Sequence, residues 1–214
     1  MTSWMAVAVA VLAGYCCGSL PWGLWVGRLA RGIDIRELGS RNLGATNVYR
    51  TLGPALGVLT LLLDIAKGAL PVWFVPALAL TRDFPGGHSW CAVTVAVAAV
   101  LGHVFTMLAR FKGGKGVATT VGVLLALSPL AFLVFVGVFV ATLLVTRFVS
   151  LGSIFGAIAF SVSLWWFAPG GGRDPVFGLG VVLAVVVISR HHGNLRRLLR
   201  GEERRFSFSG GGKG

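Results

Sequence analysis

The stretch at residues 117–146, VATTVGVLLALSPLAFLVFVGVFVATLLVT, has no charged side chain along its length. It exceeds the roughly 20 apolar residues that one helical crossing of a bilayer needs, and it lacks the wet face of a soluble amphipathic helix. Ser128-Pro129 falls near its middle. Proline disfavours helical geometry in the residue before it, so this is the natural place to fold the run into a hairpin of two short spans. A single tilted helix is the second reading of the same residues. In both, the chain belongs in a membrane. Its 214 residues are 56% hydrophobic and only 12% charged, and the expected fold class is all-α: a polytopic integral membrane protein, one domain over residues 1–206.

Just ahead of this run stands Phe111-Lys112-Gly113-Gly114-Lys115-Gly116. Glycine amides in such a turn can form an anion-binding concavity, to which Lys112 and Lys115 add charge, so the stretch reads as a phosphate cradle at the membrane surface. A basic turn that only marks the cytoplasmic side is the plainer reading. A nucleotide P-loop is excluded, because Gly116 follows Lys115 where that pattern needs Ser or Thr.

Further outward, the first apolar span covers about residues 4–27 and is interrupted at Gly18-Ser19-Leu20-Pro21-Trp22-Gly23. Spans near 53–80 and 90–109 follow, then the two halves of 117–146, then 151–168 and 176–189, seven in all. The opening run continues past any cleavage point and is expected to be a retained helix, and Tyr15 ahead of Cys16 spoils a lipoprotein box. Adjacent Cys16 and Cys17 with a distant Cys91 suggest neither a disulfide framework nor a metal site. Residues 169–175 make a tight loop, and the Ser/Gly-rich tail 207–214 is expected to be disordered.

Charge orients the seven spans. The loops after the first, third and fifth hold five, three and one basic residues, and the segment from Arg190 adds seven, against Arg82 and Arg173 on the other side. The positive-inside bias puts the C-terminus in the cytoplasm and the N-terminus outside. The net charge of +12 lies between apolar spans without a base-reading motif, so no nucleic acid is expected and membrane lipids and phosphate-bearing substrates are the partners.

The chemical potential collects on that cytoplasmic face. Residues 39–50, Gly-Ser-Arg-Asn-Leu-Gly-Ala-Thr-Asn-Val-Tyr-Arg, pack hydroxyls, carboxamides and two arginines with almost no acid, which suits a phosphate and not a divalent cation. Ser150 and Ser153 follow Arg147, as ligands or as plain helix caps. Arg190, His191 and Asn194 end the last span, and the three-residue step puts His191 and Asn194 on one helical face. Asp64 and Lys67, at the same spacing inside a span, read as an intramembrane ion pair anchoring the 39–50 loop, with direct substrate contact as the other possibility. No histidine has an Asp five residues on, and the seven acids are scattered, so neither a His-x-x-x-x-Asp acyltransferase dyad nor a metal cluster is expected.

Several of these segments together carry a resemblance. Gly18-Ser19-x-Pro21-x-Gly23, residues 39–50, Asp64-x-x-Lys67-Gly68, Gly102-His103-x-Phe105 running into Phe111 to Thr119, Val149-Ser150-Leu151-x-Ser153, and Arg190-His191-x-x-Asn194-Leu195-x-Arg197-Leu198 resemble the bacterial acyl-phosphate:glycerol-3-phosphate acyltransferases. The resemblance implies a monomeric seven-helix enzyme of the bacterial inner membrane, active on the cytoplasmic side without cofactor or metal. It would transfer an acyl group from acyl phosphate to the 1-hydroxyl of glycerol 3-phosphate, yielding lysophosphatidic acid and inorganic phosphate. Carried over by motif, Lys115, His191, Asn194, Ser153 and Thr46 are its expected catalytic residues. Ser40, Asn42, Asn47, Arg50, Lys112, Gly113, Gly114, Ser150 and Arg190 are expected to bind substrate. The competing class is a transporter of an organic phosphate, which interrupted helices and intramembrane charge would also suit, although no internal repeat is visible.

Overall fold

The computed structural model describes residues 2–167, 172 and 174–206, all of them in helices, turns or irregular chain. They cluster into two compact units, Met1–Leu127 and Ser128–Gly214.

The first unit contains α1 (Ser3–Gly18), α2 (Trp22–Arg31), α3 (Ala45–Leu52), α4 (Pro54–Phe74), α5 (Gly87–Val104) and α6 (Val117–Leu127). The interruption foreseen between residues 18 and 23 separates α1 from α2. Its carbonyls find partners: Ser19 O accepts from Thr106 Oγ1, and Leu20 O accepts from Lys67 Nζ at 2.7 Å. Backbone freed inside a bilayer needs such partners, so the break is tolerated because α4 and the chain just past α5 supply them. Helix α1 packs on α5 and α4 on α6. At those crossings a side chain at Gly18 would run into the Ala99 carbonyl and one at Gly122 into that of Ile65. Close backbone approach through small residues is how helices associate where lipid removes the hydrophobic drive.

In the second unit are α7 (Pro129–Thr146), α8 (Val149–Phe167), α9 (Pro175–Arg190) and α10 (His192–Leu199). Gly156 of α8 faces the Phe135 ring, which stacks on Phe139 within α7. Ser161 Oγ donates to Gly180 O at 2.8 Å and ties α8 to α9. Asp174 caps α9, its carboxylate accepting from Val176 N at 2.8 Å, with Pro175 in the first turn where a missing N–H matters least.

Among the described residues five segments are long and apolar enough to cross a membrane: Ser3–Arg31, Pro54–Ala77, Gly87–Ala109, Pro129–Thr146 and Val149–Phe167. A sixth is Pro175–Arg190 with His192–Leu199, bent by 52° between them. The break in the 117–146 run is where proline demanded it, with Ser128 out of helical geometry (φ −152°, ψ 89°) ahead of Pro129. That leaves α6 with 11 residues, roughly 16 Å of helix and about half a bilayer core. The fourth of the seven expected spans is therefore a half-length helix. Most of the 169–175 loop, including Arg173, and the tail from Ser207 lie outside the described residues.

Candidate active site

In the first unit the segment between α2 and α3 folds around one side chain. Asn47 is 2% exposed, and its Nδ2 donates toward the carbonyls of Ile35, Leu38 and Asn42 at 3.0–3.1 Å while its Oδ1 accepts from Ser40 N at 2.8 Å. Expected to bind substrate, Asn47 spends its hydrogen-bonding groups in this structure on shaping the loop. Asn42 is similarly local, accepting from Gly44 N at 2.9 Å in an Asx turn. Ile35, Leu43 and Val48 pack beneath against Leu24, Val26 and Ala109. The exposed edge carries Ser40, and the four-residue step from Thr46 to Arg50 puts those two half-buried side chains on one face of α3. Asp34 braces the loop entrance, 2.6 Å from Arg36 and 2.9 Å from Arg28. The Arg36 hydrogen bond, with help from Arg28, holds its carboxyl far below the usual carboxylate range.

The Phe111–Gly116 turn is built differently from the cradle expected. Gly113 N donates to Val104 O at 3.1 Å and Gly114 N to His103 O at 3.2 Å, so these two amides pin the turn to the end of α5. The amides foreseen as oxyanion donors at Gly113 and Gly114 thus face carbonyls of α5 in this structure. Both must nevertheless be glycine, because an added Cβ would strike the His103 carbonyl in one case and His103 Nε2 in the other. What the turn offers an anion is Lys112, exposed, and Lys115, half-buried at the entry to α6, whose first-turn amides point out of the helix end.

Beneath Gly114 lies a charged group that single-sequence spacing did not assemble. Asp64 Oδ1 is 2.7 Å from Lys67 Nζ and 3.8 Å from His103 Nδ1, with all three residues buried. They line a cavity of ≈ 10 Å³ together with Leu20, Trp22 and Thr106. That volume is about what one water needs, and far below a substrate pocket. The ion pair between Asp64 and Lys67 is as expected. Its anchoring target is not: Lys67 reaches the Leu20 carbonyl at the α1–α2 break and not the 39–50 loop.

The second unit gathers its own polar cluster. Ser153 Oγ donates back to Val149 O at 2.8 Å, and Ser150 Oγ donates to Glu203 Oε1 at 3.0 Å. Neither serine is the N-cap of α8, and in this structure Ser153 spends its hydroxyl proton on the helix backbone and Ser150 on Glu203. Asn194 Nδ2 meets the same Oε1 at 2.5 Å, and Arg197 Nε meets Oε2 at 2.8 Å. Burial pushes the Glu203 carboxyl up, but hydrogen bonds from Asn194, Arg197 and Ser150 and the Arg197 charge outweigh it, and the net displacement is downward. His191 is 2% exposed and its Nδ1 lies 2.7 Å from Val187 O. A carbonyl only accepts, so Nδ1 carries the proton. At Nδ1 the ring is oriented by a neutral partner, the backbone carbonyl of Val187. Arg190, half-buried, ends α9 just before it. Glu203 was the miss of the sequence reading: it stands nine residues beyond Asn194 and past the end of α10, where no helical spacing links them.

Comparison with known proteins bears on the whole chain. Residues 8–201 match the glycerol-3-phosphate acyltransferase family. A glycerol-3-phosphate acyltransferase of Geobacter sulfurreducens is 45% identical over 199 residues, covering 92% of this chain and 96% of the relative. One from Chlorobium phaeobacteroides is 37% identical, covering 95% and 98%. Among solved structures, crystal forms of PlsY, an integral membrane glycerol 3-phosphate acyltransferase, are similar at 37% identity over 94% of this chain. The TM-score is 0.84 for its glycerol 3-phosphate form and 0.82 for its lysophosphatidic acid form. From the interrupted first span to the stop of the last helix, this chain belongs to the glycerol-3-phosphate acyltransferase family.

Proposed function

We propose that the protein transfers a fatty acyl group from acyl phosphate to the 1-hydroxyl of glycerol 3-phosphate, releasing lysophosphatidic acid and inorganic phosphate, the opening step of phospholipid synthesis. One observation carries this reading. The family match runs over residues 8–201 and so takes in every polar segment described above, in a chain whose solved relative is known in glycerol 3-phosphate and lysophosphatidic acid forms.

In the reaction the glycerol hydroxyl oxygen bonds to the acyl carbon, the acyl carbon to phosphate oxygen bond breaks, and phosphate leaves with the bonding electrons. The donor is already activated, so no acyl-enzyme is needed. In the first unit, Lys115 with Lys112 and the opening amides of α6 stabilise phosphate charge, while Thr46, Arg50 and Ser40 hold a phosphoryl group from α3 and its loop. In the second, His191, Asn194 and Arg190 orient substrate. The sequence holds no His-x-x-x-x-Asp dyad, so the hydroxyl proton passes to a substrate phosphate oxygen. Ser153 and Ser150 join His191, Asn194 and Arg190 from the first turns of α8, and Asn42, Asn47, Gly113 and Gly114 serve binding by shaping the loop and the turn that carry the first unit's groups.

The same proposal places the protein in the bacterial inner membrane as a monomer over residues 1–206, with the N-terminus outside and the active groups on the cytoplasmic side. It counts α6 as a seventh, short span. The test is a purified two-substrate assay comparing acyl phosphate, acyl-CoA and acyl-carrier protein as donors. Phosphate release with acyl phosphate alone, and only when glycerol 3-phosphate is present, is the expected result. Equal use of a thioester, or a covalent acyl-protein in a single turnover, would overturn it. Uptake of glycerol 3-phosphate into sealed proteoliposomes without any donor would point to transport instead.

A further inference from the structure

The mechanism leaves one well-built group unused. After α10 the chain reverses in a Schellman turn: Gly201 has φ +71°, its N–H donates to Leu198 O at 3.1 Å, and Glu202 N donates to Arg197 O at 2.8 Å. Glycine is suited to this left-handed position, and the turn lays residues 202–206 back along the second unit. Phe206 N donates to Arg147 O at 2.6 Å, and the Arg205 guanidinium sits 5.7 Å over the Phe148 ring. Between these ties the Glu203 side chain is 6% exposed, with Ser150, Asn194 and Arg197 each donating to it.

We propose that Glu203 is a positioning residue of the acyl transfer, holding Asn194 and Ser150 in the orientation in which they serve the substrate. This rests on the reading that Asn194 contacts substrate. A carboxylate is an acceptor only, so it dictates which end of the Asn194 amide faces it and where the Ser150 proton points. The 2.5 Å and 3.0 Å bonds share one oxygen, so the two side chains are set as a pair. Arg197 holds the other oxygen at 2.8 Å, which fixes the carboxylate plane. Partners behind a functional group commonly change activity about 10–100-fold when removed, without touching the ligand themselves.

The competing interpretation is that Glu203 occupies an anion site and must be displaced by phosphate. The two make opposite predictions. The experiment uses the full chain in lipid bicelles with a long-chain acyl phosphate and glycerol 3-phosphate, comparing wild type, Glu203→Gln, Glu203→Asp, Asn194→Ala and the Glu203→Gln/Asn194→Ala double variant. Thermal unfolding is followed in parallel. Glu203→Gln is expected to lower kcat about 10–100-fold with KM for glycerol 3-phosphate changed less than about threefold, and Glu203→Asp to recover part of that loss. In the Asn194→Ala background the Gln substitution should cost little more, because a positioning residue has nothing left to position. Fully additive losses, wild-type activity in Glu203→Gln, or a fall in KM as for a displaced anion would each overturn the proposal. If Asn194→Ala is itself silent, the reading of Asn194 as a substrate contact fails first and the role of Glu203 fails with it. An impaired Asn194→Ala beside a normal Glu203→Gln removes only the latter.

Discussion

Asp64 in the first unit and Glu203 in the second both carry buried carboxylates, and the two are partnered in opposite ways. Asp64 in the first unit is 1% exposed inside α4 and takes its cation, Lys67, from one turn along the same helix. Glu203 in the second sits beyond the last helix and is held by Arg197, Asn194 and Ser150, which are 6, 9 and 53 residues away. The first acid belongs to the membrane-embedded foundation beneath a turn whose amides are already committed. The second belongs to a surface strap and touches proposed functional groups directly. Disturbing the first should therefore register mainly as stability, and disturbing the second mainly as rate.

The largest effect tests the foundation. Lys67→Met leaves Asp64 as an uncompensated buried charge and should destabilise the protein by about 3–5 kcal/mol, whereas the paired change Asp64→Leu/Lys67→Met should recover most of that. Thermal unfolding in bicelles measures both, and a mild single variant would contradict an embedded ion pair. Next is Lys115→Ala. Removing one preorganised donor to developing phosphate charge is expected to lower kcat about 10²–10³-fold with the unfolding midpoint unchanged, and a loss of stability instead would make Lys115 a scaffold residue.

Asn47→Ala separates shaping from gripping in the first loop. It strips partners from Ser40 N and from carbonyls of Ile35, Leu38 and Asn42, so a loss of roughly 2–3 kcal/mol is expected, with activity recovering at low temperature where the fold persists. Gly114→Ala drives a methyl group toward the His103 ring and should cost about 1–3 kcal/mol while also displacing Lys115, visible as a higher KM for the donor.

The smallest effect is the pH dependence of the strap. Glu203 is held below its ordinary 4.5 in the folded protein. Its contribution is therefore complete above about pH 4.5 and fades as pH falls through the lower folded value. The unfolding midpoint of the wild type should exceed that of Glu203→Gln by about 2–4 °C from pH 6 to 8, and the gap should close below that threshold. A gap that persists in acid would mean that charge on Glu203 contributes nothing.

Much of this was written locally. Pro21 and Pro129 announced their breaks because a ring in place of an N–H acts on immediate neighbours, and Asp64 with Lys67 announced an ion pair because helical spacing makes i and i+3 adjacent. The side-chain partners were less legible. Asn47 and Arg50 look alike in a polar loop, yet only the former is buried among three carbonyls. The three glycines around Lys115 suggested a ring of amides pointing outward, but the end of α5 offers the carbonyls of His103 and Val104 first.

The sequence alone determined the membrane class, the helix breaks and the segments that carry polar chemistry, because hydropathy, proline and short helical spacing act within a few residues of where they are written. Only the tertiary structure decided which of those polar groups support the scaffold, that Lys67 serves the α1–α2 break, that His103 stands behind Gly114, and that Glu203 meets Ser150 and Asn194. Those outcomes depend on which donor lies nearest once distant helices have packed, and chain separation carries no information about that.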